Sequence, residues 1–109
     1  MSDRIETIRK MLAEQGEEVF LVYSLGMELA SAGRFDAAAE QFRRCMELDT
    51  TYLPAYSEAG KALRAAGRLA EARDAFAAGM HLAEQARDTH LRDHLQAQLD
   101  ALRPGDARP

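Results

Sequence analysis

The sequence predicts an all-α chain, a solenoid of six helices stacked as antiparallel pairs. The first observation is an internal repeat with a period of 34 residues across Val19–Leu82. Shifted by that period, Gly26 falls on Gly60, Leu29 on Leu63, Ala38 on Ala72 and Phe42 on Phe76. Ala32-Gly33-Arg34 likewise falls on Ala66-Gly67-Arg68, and Met46 and Leu48 fall on Met80 and Leu82. A period of that length marks a stack of supersecondary units, each too small to bury its apolar face alone. The second observation is compositional. Aromatics make up 6% of the chain, Trp is absent, and of three prolines two lie in the last six residues, so the body is free to be helical. The third is that Gly26 and Gly60 sit at the same phase inside two helical patterns. A mid-helix glycine costs about 1 kcal/mol relative to alanine, so it is kept where another helix must approach closely.

Each helix follows from local pattern. Over 2–15, Ile5, Ile8, Met11 and Leu12 share one face opposite charged residues, and Gly16 supplies a left-handed stop. Ile8 and Leu12 fall at the phases of Phe42 and Met46, so this helix is phased as the second half of a preceding repeat. The run Val19-Phe20-Leu21-Val22-Tyr23 has strand-like composition, but the repeat phase makes it the start of a helix over 18–32 that Gly33 ends. After this short turn a third helix runs over 35–48, antiparallel to the second. Asp49-Thr50-Thr51 is expected to cap a fourth helix over 52–66, with Pro54 in its first turn, where no intrahelical N–H is needed. A fifth helix is expected over 69–83, and a sixth, capped by Asp88 or Thr89, up to Leu102. The expected organisation is one helical domain over 1–103 with full repeats at 19–52 and 53–86, a capping helix at 88–102 and a flexible tail at 104–109.

Composition excludes several classes. A net charge of −4 lacks the basic stripe of a nucleic-acid binder or a polybasic membrane anchor. Neither a secretory h-region nor a bilayer-spanning apolar run is present, which points to the cytoplasm. The single Cys45 reads as a buried small thiol at a phase shared with Gly79. Ser24, Ser31 and Ser57 have no histidine–acid pair near them in the pattern, and Ala-Gly-Arg is a helix stop rather than a phosphate loop. His90-Leu91-Arg92-Asp93-His94 places two imidazoles four residues apart, but Asp93 stands where an inverted zinc-hydrolase motif needs Glu, and a third ligand is missing. The pair reads as two surface histidines. No catalytic residue, cofactor or metal is expected.

The repeat resembles the tetratricopeptide repeat. Against that family's pattern, the first copy sets Val22, Leu25-Gly26, Leu29, Ala38, Phe42, Cys45 and Thr50. The second sets Tyr56, Ala59-Gly60, Leu63, Ala72, Phe76, Gly79 and Glu84. Leu replaces an aromatic at 29 and 63, Pro is missing at 50 and 84, and His94 stands where a third repeat would need Gly, so the last helix reads as a solvating cap. The resemblance implies a right-handed α-solenoid of the small bacterial type, whose first helices line a concave groove that holds a peptide or helix of another protein.

Carried over by phase, that groove would be lined by Phe20, Tyr23, Met27 and Ala30, by Ser57, Lys61 and Arg64, and by Leu91 and Leu95. It would have an apolar floor at one end and a cationic middle, suiting a partner segment with a large apolar anchor and an acidic residue. The opposing reading has Phe20 and Tyr23 packed under the first helix and Lys61 paired with Glu58. The carboxylate clamp of chaperone-binding relatives would fall on Tyr23, Met27, Glu58, Asp88 and Arg92, of which only Arg92 suits a carboxylate. The alternatives to groove binding are a homodimer formed through the end helices and a small secretion chaperone.

Overall fold

The computed structural model describes residues 2–102. The tail expected at 104–109 lies outside the described residues. Six helices account for the described fold: α1 (Ser2–Gln15), α2 (Val19–Ser31), α3 (Phe35–Leu48), α4 (Leu53–Ala65), α5 (Leu69–Gln85) and α6 (Thr89–Asp100). Each packs chiefly on its neighbours in sequence. The chain therefore zigzags between a layer of α2, α4 and α6 and a layer of α1, α3 and α5.

The interior glycines explain how tightly the pairs close. A Cβ on Gly26 would stand 2.6 Å from Cε1 of Phe42, and one on Gly60 would run into the Phe76 ring in the same way. Both rings are 0% exposed and fill the space that the missing methyl leaves. Gly79 repeats the device one helix on, where a Cβ would meet Tyr56 Cβ at 2.7 Å and Leu95 Cδ1 at 3.1 Å. Leu25, Leu29, Val22, Cys45 and Leu95 complete the sealed interior. Leu95 faces inward and His94 outward, so α6 packs on the preceding helices through its Leu95 side.

The turns within each repeat are alike. Gly33 and Gly67 take φ of +78° and +79°, and the N–H of the next residue reaches back to Leu29 O at 2.9 Å or Leu63 O at 2.8 Å. That is the left-handed helix stop that glycine adopts without the Cβ clash any other residue would bring there. The turns between repeats differ from one another. After α3, Asp49 Oδ1 accepts from Thr51 N at 3.0 Å and from its hydroxyl at 2.7 Å. Asp49 thus shapes the turn itself, and the residue preceding α4 is Tyr52, with no side-chain cap. The expected cap from Asp49-Thr50-Thr51 is corrected accordingly: an Asx-type turn captures the carboxylate before the helix begins. After α5 the chain stays helical to Gln85, past the expected end at Ala83, and leaves through Arg87 at φ 60°. Asp88 then caps α6, accepting from Leu91 N at 3.0 Å. Pro54 lies in the first turn of α4, as its missing N–H allows.

Surface ion pairs brace the layers. Arg44 joins Glu17, in the α1–α2 turn, at 2.6 Å and Glu47 at 3.0 Å. Arg68 joins Glu71 at 2.8 Å and Asp36 of the preceding pair at 3.0 Å. Exposed pairs contribute about 0–1 kcal/mol each, so the packed interior carries the fold.

Candidate protein-binding surface

The residues assigned to the groove divide into accessible and engaged groups. Phe20 and Met27 lie two helical turns apart on one stripe of α2 and are 68% and 38% exposed. Tyr23, on the flank of the same stripe toward α4, is half-buried. Its ring packs on Phe42 at 5.6 Å between centroids and edge-on to Tyr52 at 5.4 Å. Burial, and then the Glu58 carboxylate nearby, raise its phenol pKa, so Tyr23 stays neutral and offers one edge of its ring.

On α4, Ser57 is buried at 8% exposure and contributes little surface. Lys61 Nζ stands 3.4 Å from Glu58 Oε2. Arg64 lies with its guanidinium 5.8 Å from the Phe76 ring centroid and donates to Gln98 of α6. Gln98 is at the Arg64 phase one period later, so the contact ties the cap to the preceding repeat. Leu91 is half-buried against the core, and Leu95 is fully sealed. The cationic middle expected from phase alone therefore reduces to Lys61 beside its own acid.

Cysteine chemistry is suppressed by burial. Cys45 is 0% exposed, its Sγ is 3.8 Å from Val19 O, and desolvation raises its pKa to about 11. His90 and His94 are exposed on α6. Among the described residues no group of three or more His, Cys, Asp and Glu side chains is placed to hold a metal ion. No helix of the described chain is long and apolar enough to cross a membrane.

A second concavity lies between α1 and α2, a cleft of about 430 Å³ with Arg4, Thr7, Ile8 and Met11 on one wall and Phe20 and Glu28 on the other. Arg4 reaches across to Glu28 at 3.3 Å. The groove assignment by phase overlooks this cleft. The signal was in the repeat, where Arg4 and Met11 fall at the phases of Ala38 and Cys45.

A curated relative carries the comparison beyond fold. The chain is 41% identical over 76 residues to a TPR repeat-containing protein of Pseudomonas aeruginosa, covering 70% of this chain and 72% of that one. The chain belongs to the tetratricopeptide repeat family. Two solved structures agree. A protein of Bordetella parapertussis, known from a solution structure, superposes with a TM-score of 0.80 at 33% identity over 94% of this chain and 90% of its own. A tetratricopeptide repeat domain protein of Salinibacter ruber superposes at 0.73 with 24% identity over 80% of this chain and 88% of its own, a likeness of fold alone. No protein-family model matches the chain. The tetratricopeptide repeat is in general terms a protein–protein interaction module, and the chain is of that class.

Proposed function

We propose that the chain binds a segment of a partner protein along the face shared by α2 and α4, with affinity carried by an apolar anchor against Phe20, Met27 and the exposed edge of Tyr23. The observation that carries this reading is the exposure of Phe20 and Met27 on one stripe while the other large apolar residues of the described chain are partly or wholly covered. Clustered exposed apolar side chains in a small domain mark a contact surface. Lys61 adds a preference for an acidic group one helix away, moderated by Glu58, which an incoming carboxylate must displace. The face is preformed by the glycine–phenylalanine packing beneath it, so little ordering entropy is lost on engagement. The partner segment this suits is a peptide or helix with a bulky apolar residue, with an acidic residue in second place.

A pull-down from cell extract with mass spectrometry tests it, comparing the wild type with Met27→Glu and Lys61→Glu. Both side chains are solvent-facing, so helicity should be unchanged by circular dichroism. A protein captured by the wild type, lost with Met27→Glu and weakened with Lys61→Glu supports the face. A captured set that neither variant alters refutes it. Raising salt should weaken the Lys61 contribution and leave the apolar one.

A further inference from the structure

A further hollow, of about 250 Å³, opens between α3 and α5 and shares no residue with the face of Phe20, Tyr23, Met27 and Lys61. Its floor is apolar. Ala39, Ala59, Leu63 and Ala75 are each no more than 9% exposed, and Met46 is half-buried beside them. Its rim is charged. Glu40 and Arg43 come from α3, Arg68 from the turn before α5, and Glu71 and Asp74 from α5.

The two signs on that rim are not equally available. Each arginine is already held by two carboxylates: Arg43 by Glu40 and Glu47, Arg68 by Glu71 and Asp36. Asp74 is exposed and enters no ion pair among the described residues. An incoming anion must therefore displace a carboxylate from an arginine, whereas a cation meets Asp74 directly, with Glu71 one turn earlier on the same helix face. A buried apolar floor under such a rim is complementary to a long side chain with an apolar stem and a positive head. The repeat narrows the choice. One period on from Ala39 stands Arg73, whose part-buried side chain donates to Leu102 O from Nε at 3.1 Å and from Nη2 at 2.6 Å. At this phase the fold accommodates an arginine of its own on α5, and on α3 the alanine leaves the hollow open.

We propose that the hollow between α3 and α5 seats an arginine side chain presented by a partner protein. Its methylenes lie over Ala39, Leu63 and Ala75, and its guanidinium donates two parallel N–H bonds to the Asp74 carboxylate. A lysine brings the same charge but no planar fork, so arginine is the side chain selected.

The α-acetyl amides of arginine, lysine and glutamate, titrated into isotope-labelled protein and followed by amide NMR, test the seat. The arginine probe should give saturating shifts centred on Ala39, Glu40, Asp74 and Ala75, with a dissociation constant on the order of millimolar for so small a ligand. The lysine probe should bind about threefold or more weakly, and the glutamate probe should give no saturating shift there. Asp74→Asn changes an exposed residue, so it should keep helicity and weaken the arginine probe by about threefold or more. Glu14→Gln, which removes the same charge from an exposed site on α1, should leave binding unchanged. Shifts that do not saturate, or that centre elsewhere, overturn the proposal. So does an Asp74→Asn variant that binds like the wild type, or a lysine probe that binds as well as arginine, which would mark diffuse attraction to an acidic protein. Met27→Glu, the groove variant, should leave the arginine seat unchanged, so the two surfaces fail or succeed separately.

Discussion

Replacing Gly26 by alanine should destabilise the protein, although alanine is the better helix former. The new Cβ would stand 2.6 Å from Cε1 of Phe42 and 2.9 Å from both Cδ1 and Cζ, against an ordinary carbon–carbon separation of about 3.5–4.0 Å. The ring must therefore retreat by roughly 1 Å. It has nowhere open to go, being 0% exposed and backed by Tyr23 at 5.6 Å. Overpacking of this kind costs about 1–3 kcal/mol, and the gain in helix propensity returns about 1 kcal/mol. With three ring atoms meeting the methyl, the strain belongs at the upper end of its range, leaving a net loss of about 1–2 kcal/mol. For a domain of this size that lowers Tm by roughly 4–8 °C per kcal/mol. Urea and thermal unfolding followed by circular dichroism measure it. Phe42→Leu leaves room for the methyl, so the double variant should be less destabilised than the sum of the two singles by about 1–2 kcal/mol. Gly26→Ala as stable as wild type, or simple additivity with Phe42→Leu, would refute the packing argument.

Cys45, with its pKa raised from the ordinary 9.0 to about 11, should resist iodoacetamide at neutral pH and react once denaturant opens the chain. The unfolded thiol ionises first, so this contribution to stability is complete below pH 9.0 and is lost as pH rises toward about 11; Cys45→Ala should lack that part of the alkaline decline. Arg87 holds a left-handed backbone at φ 60°, a conformation that costs a non-glycine residue about 1 kcal/mol or more. Arg87→Gly should therefore raise the urea midpoint, and a lower midpoint would show that the side chain matters more than the backbone. The hydrogen-bonded Arg44 guanidinium holds the Glu17 carboxyl below its ordinary pKa, so Arg44→Gln should return it upward in an NMR titration. Zinc calorimetry should show only weak binding that His90→Ala abolishes, because two exposed imidazoles without a third ligand do not enclose an ion.

The helical pairing was legible because it rests on periodicity, which a linear sequence displays in full. Gly26 and Gly60, the Ala-Gly-Arg stops and the phases of Phe42 and Phe76 all report contacts between chain neighbours, and such contacts recur at the repeat spacing. The same reasoning expected His94 at the surface, where it lies. The candidate surface was legible only as a set of phases. Phase says which way a Cβ points in an ideal repeat but not what stands in front of it. Ser57 is covered, Leu91 packs on the core, and Arg64 is held by Gln98 from α6; the last two depend on where α6 settles, which no single repeat unit specifies. The turn after α3 was misread for a related reason, since Asp49 can serve a helix cap or its own turn and the local backbone decides which. By itself the sequence determined the helices, their antiparallel order and their glycine–aromatic packing, because these follow from spacing along the chain. The tertiary structure alone decided which side chains remain free to meet another molecule, because exposure is set by everything that packs around a residue, including helices far from it in sequence.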